Sequence, residues 1–87
     1  MSNEDFLKYA IEKIKFDAMS ANDYVKRSNL YQAGLKCGAV ITLVGCLNQI
    51  GILSDCEFDT SANGIMTIKS VTVDGKKIFD CLAKLRR

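Results

Sequence analysis

No charged residue interrupts the chain between Lys36 and Asp55. Residues 34–53 read GLKCGAVITLVGCLNQIGIL, rich in Leu, Ile and Val and carrying Gly34, Gly38 and Gly45. Wound as a helix, Leu35, Ala39, Leu43, Leu47 and Ile50 form a bulky stripe. Gly34, Gly38, Thr42 and Gly45 form a smooth one. A helix apolar on most sides is expected to be buried on most sides, as the spine of a small domain. Each interior glycine costs roughly 1 kcal/mol against alanine, so the smooth strip predicts a close approach by another helix. That helix belongs either to this chain or to a second copy across a two-fold axis. Gly51 suits the left-handed position just past a helix end, with Ile52 folding back on Leu47 in a Schellman cap.

Upstream, residues 3–18 alternate with helical period. Leu7, Ala10, Ile11, Ile14 and Ala18 mark a core stripe, widened by Phe6 and Phe16. Lys8, Glu12, Lys13 and Lys15 mark the wet face, with Glu4–Lys8 and Lys13–Asp17 at supporting spacing. Ser2 or Asn3 caps the start, and Glu4 and Asp5 face the positive end of the dipole. The stretch MSAND, residues 19–23, predicts a break or a new start capped by Ser20 or Asn22. Helical spacing resumes at Tyr24, Val25, Leu30 and Tyr31 and leads into the apolar stretch, with a kink near Ser28–Asn29.

Downstream of Gly51 the period changes. Cys56-Glu57-Phe58 predicts a short strand, and residues 59–64 a turn around Asn63-Gly64. Residues 65–73, IMTIKSVTV, are rich in β-branched side chains and predict a strand. Their alternation slips between Ile68 and Val71, which a bulge near Lys69–Ser70 would repair. Asp74-Gly75 allows a second hairpin into Lys77–Phe79. The spacing of Ile78, Leu82 and Leu85, with Lys84, Arg86 and Arg87 at a C-terminal dipole, favours a final helix capped by Asp74. The expected fold is α+β in one domain, 1–87: two or three N-terminal helices including the apolar Gly-rich one, a β-hairpin and a short C-terminal helix.

Composition narrows the function. Net charge is +2, and residues 1–54 and 55–87 each hold six basic and five acidic residues. Such a balance argues against a nucleic-acid footprint, because Asp55, Glu57, Asp59, Asp74 and Asp80 oppose the cations of the C-terminal half. Histidine is absent, so the usual base near neutral pH is missing. The cysteines Cys37, Cys46, Cys56 and Cys81 form no Cys-x-x-Cys pair, which argues against a structural metal. No phosphate-cradling glycine motif occurs. The acidic, amphipathic N-terminus is unlike a secretory signal, so the expectation is a cytoplasmic chain with free thiols and no cofactor.

What remains is binding without chemistry. The first expectation is a small non-enzymatic binding protein, self-associating as a homo-oligomer, that acts by binding and inhibiting or regulating a protein partner. In small size, missing catalytic groups and Lys-, Asn- and Ile-rich character it resembles the small accessory proteins of large lytic phages, a resemblance of composition carried by no specific residue. Tyr24, Lys26, Arg27 and Tyr31 are the candidate ligand or partner site, since cations beside tyrosine rings suit a phosphate or a base. They would serve the alternative function, a sponge sequestering a nucleotide-like small ligand. The same four residues on a solvated helix face are the plainer alternative. A further alternative is a membrane-associated regulator, because residues 34–53 approach the ~20 apolar residues a span needs. Lys36, Asn48 and Gln49 shorten that run, and no aromatic belt flanks it.

Overall fold

The protein, seen in a computed structural model, is described over residues 3–82. Two helices, α1 (Asn3–Lys26) and α2 (Leu30–Gln49), form an antiparallel hairpin. Three strands follow, β1 (Ser54–Thr60), β2 (Met66–Val73) and β3 (Lys76–Asp80), as an antiparallel meander in the order β1-β2-β3. The result is a two-layer slab of 40 × 29 × 17 Å. Its α+β class matches expectation, but the chain differs from the expected layout at three places.

First, α1 does not break at MSAND. It runs through those residues because Ala18 and Ala21 continue the core stripe of Ala10 and Ile14, and Asn22 makes tertiary bonds described below. The break falls at Arg27-Ser28-Asn29. Ser28 takes φ +61°, and Asn29 N–H donates to the Tyr24 carbonyl at 2.9 Å, closing α1. The Asn29 side chain then caps α2 by accepting from Gln32 N–H at 3.3 Å.

Second, among the described residues no helix follows Asp74. Asp74 and Gly75 have φ of +53° and +80°, the two positive angles of a type I′ turn, which suits the right-handed twist of the flanking strands. That turn overrides the helical spacing of Ile78 and Leu82, and the chain returns as β3. Leu85 and the cations Lys84, Arg86 and Arg87 lie outside the described residues, as does Ser2.

Third, α2 is covered on one side only. Ala33, Val40, Val44 and Leu47 are its buried residues, and the last three join the core formed with α1 and the sheet. Leu35 and Ile50, placed by sequence on its bulky buried stripe, are exposed. Among the described residues no third layer covers the outer half.

Elsewhere local chemistry behaves as the sequence indicates. Ile52 N–H donates to the Leu47 carbonyl at 2.9 Å and Gly51, at φ +89°, to Asn48, which is the Schellman arrangement. Between β1 and β2 the pairing passes from Glu57↔Ser70 to Phe58↔Ile68. Lys69 is therefore the extra residue of a bulge, and Ile68, Val71 and Val73 all turn inward, each almost fully buried.

Two asparagines tie the helices to the sheet. The Asn22 amide donates to the Ile68 carbonyl and accepts from Ile68 N–H, both at 2.8 Å. The Asn48 amide treats Ser54 the same way, at 2.9 and 2.7 Å. Regular β3 pairing reaches only from Val73 to Ser70 on β2. Asn22 thus supplies the backbone of Ile68 with the partner that β3 does not.

Candidate interaction surfaces

The outer face of α2 is the surface the fold leaves unexplained. Tyr31 is 74% exposed, Leu35 52%, Leu30 51% and Ile41 50%. Gly34, Gly38, Thr42, Gly45 and Cys46 are exposed among them. A Cβ placed at Gly34, Gly38 or Gly45 would meet nothing within 4 Å. The glycine strip therefore does not contact α1, and nothing within the fold requires glycine at these positions. Thr42 turns its hydroxyl back to donate to the Gly38 carbonyl at 2.9 Å. Its polar group is satisfied inside the helix, which leaves the strip less polar than its sequence suggests.

This face carries no charge, because the one lysine of α2 is turned away from it. Lys36 Nζ lies 3.7 Å from Asp17 Oδ1 and 5.9 Å from the centre of the Phe16 ring. Asp17 is fully buried between the helices, with Lys13 Nζ at 3.2 Å from each of its carboxylate oxygens. The sequence pattern placed Lys13–Asp17 as a surface pair. Spacing alone could have placed Asp17 inward, since it lies seven residues from Ala10 and three from Ile14, both in the core.

Beside the strip lies a groove of about 500 Å³ between α2, the end of α1 and the β1–β2 hairpin. Leu30, Gly34, Gly38 and Ile41 form one wall, and Ile65 and Met66 line the hairpin side. No charged residue lines it. Sequence reasoning missed this groove because part of its wall comes from the β1–β2 turn and the start of β2, distant in the chain.

The tyrosine–cation group is only partly assembled. Tyr24 and Lys26 end α1, Arg27 lies in the turn and Tyr31 opens α2. Arg27 Nε is paired with Asp23 at 3.1 Å. Lys26 lines a different cleft, of about 280 Å³ between α1 and β3, with Phe16, Met19, Asp23 and Phe79. Neither Tyr24, Arg27 nor Tyr31 lines that cleft. The four residues share one end of the helical hairpin without lining one pocket.

All four cysteines are free thiols. Burial pushes the Cys37 thiol up, and burial, reinforced by Cys37 and Asp55, pushes Cys56 up to about 11. Both therefore stay protonated near neutral pH and are weak nucleophiles. Among the described residues no three Cys, Asp or Glu side chains group so as to hold a metal ion. No family model, curated protein or solved structure matches the chain, and its function is read from these surfaces alone.

Proposed function

We propose that this is a small non-enzymatic binding protein that self-associates through the outer face of α2 and regulates a protein partner by occupying it. The observation that carries the reading is the uncharged, half-exposed face of Leu30, Tyr31, Leu35 and Ile41 around three glycines that nothing in the fold requires. Helix-interior glycines are costly in a monomer and useful where another backbone must come close.

Magnitudes set the scale of the test. Burying a half-exposed large apolar side chain yields about 1 kcal/mol, so eight across a two-fold give about 8 kcal/mol. Association costs at least about 4 kcal/mol, which leaves at most about 4 kcal/mol and a dissociation constant of roughly a millimolar or weaker. Light scattering without detergent, from ~0.1 mM to several millimolar protein, should show a dimer or larger species appearing with concentration. High salt should not dissolve it, since the face has no charges to screen. A monomer throughout would end the reading.

One observation favours a second reading. α2 is long and apolar enough to cross a membrane, and 22% of its most apolar window is buried. A membrane-associated regulator would float with lipid vesicles in a density gradient. Full recovery in the lipid-free fraction would remove that alternative.

A further inference from the structure

We propose that Asn63, at the tip of the β1–β2 hairpin, is a self-modification site, where the side-chain amide is lost through a succinimide and the residue becomes aspartyl or isoaspartyl. The reaction needs the next backbone nitrogen to reach the asparagine Cγ, which a following residue without a side chain permits. Asn63 alone precedes a glycine; Asn3, Asn22, Asn29 and Asn48 precede Glu, Asp, Leu and Gln. The amides of Asn22 and Asn48 are in addition fixed to the backbone of Ile68 and Ser54. Ser61, Ala62, Asn63 and Gly64 are all exposed.

The fold adds an activating contact to this exposure. Ser61 N–H donates to the Ile65 carbonyl and Gly64 N–H to the Ser61 carbonyl, both at 2.9 Å, closing a three-residue tip with Gly64 at φ +83°. Ile65 N–H donates to Ser61 Oγ at 3.1 Å, and the Ser61 hydroxyl in turn donates to Asn63 Oδ1. A donor is thereby aimed at the oxygen that becomes negative when Cγ is attacked. Among the described residues Asn63 Nδ2, the nitrogen that leaves, donates to no protein atom.

The Gly64 amide proton goes to hydroxide when its bond to Ser61 opens, as an exposed tip allows. The nitrogen attacks Cγ; the N–Cγ bond forms and the carbonyl pair moves onto Oδ1. The pair then returns, the Cγ–Nδ2 bond breaks, and ammonia departs with a proton from water. Water opens the ring at either carbonyl. One water enters and one ammonia leaves, with nothing oxidised or reduced. The new carboxylate lowers the +2 net charge by one, beside Gly64, Ile65 and Met66 in a groove that has no charged lining.

The test follows the whole chain by peptide mass mapping with isoaspartate detection, at neutral and at mildly alkaline pH. Asn63 is expected to react ahead of every other asparagine, at a rate that rises with hydroxide, while Asn63→Gln stays unmodified. Ser61→Ala should slow the folded protein about threefold, short of the loss at an enclosed oxyanion hole because the tip is wet, and Ser61→Thr should restore the rate. In urea the wild type and Ser61→Ala should react alike. A folded protein whose Asn63 stays intact over weeks of alkaline incubation, or in which another asparagine reacts first, overturns the site. Equal rates for folded wild type and Ser61→Ala overturn the activating role of Ser61.

Discussion

Among the described residues, Asp17 is the one charged side chain taken wholly out of water. Its partners are unequal to it, since the Lys13 and Lys36 side chains keep 39% and 30% of their surface. Asp17→Leu frees both lysines to reach solvent and refills the space with apolar atoms, so urea melts should place it within about 1 kcal/mol of wild type. The double variant Lys13→Met, Lys36→Met strands the carboxylate and should lose about 3–5 kcal/mol. Equal losses would mean that Asp17 is not as enclosed as its geometry states. The thiols give a second prediction at this scale. In the unfolded chain Cys56 loses its proton near 9.0, while the folded protein holds it up to about 11. The unfolded state then binds fewer protons between those values, so stability falls as pH rises through that window. Cys56→Ala should flatten the fall in thermal melts taken from pH 8 to 11. At this scale the sequence was legible where a residue's role is local. Gly51 as a cap and Lys69 in a bulge follow from neighbours a few positions away. Asn22 escapes such a reading because its partner Ile68 lies on β2, and Asp17 in part because Lys36 lies on α2.

At the scale of elements, the two asparagine side chains act as short pieces of backbone. Asn22→Ala would leave the N–H and carbonyl of Ile68 without partners, in a residue that is fully buried. The expected loss is about 2–4 kcal/mol in denaturant melts, from two unmet backbone groups at about 1–2 kcal/mol each. A loss below 1 kcal/mol would show that solvent reaches those groups. The same contact explains why α1 outran its sequence signals. Ser20, Asn22 and Asp23 are residues that favour caps and turns, but Asn22 spends its amide on β2 and Ala21 packs in the core. The last element was misread for the reverse reason. Ile78 and Leu82 have helical spacing, yet a two-residue turn with both angles positive fixes a hairpin more firmly than spacing fixes a short helix.

For the whole molecule, the deciding fact is the mismatch between α2 and the layer that covers it. The apolar stretch was plain in the sequence, and its burial was not, because burial depends on how much surface the remaining elements can supply. A three-stranded sheet and one helix cover the Val40–Val44–Leu47 side and leave the other side open. Two occupants compete for that side, a second copy and a lipid surface, and they respond differently to dilution. Self-association weakens as protein is diluted, whereas partition onto excess vesicles does not. Flotation that persists at nanomolar protein would therefore favour the membrane, and flotation lost from a protein that dimerises would favour the second copy.

The paired asparagines also make the protein its own timekeeper. The amide protons of Ile68 and Ser54 are each held by a helix side chain instead of a neighbouring strand. Their exchange with deuterium therefore records when a helix lifts from the sheet, separately from fraying of the strands. Ile68 reports on α1 and Ser54 on α2, so two peaks in one spectrum reveal which helix departs first, and under what conditions.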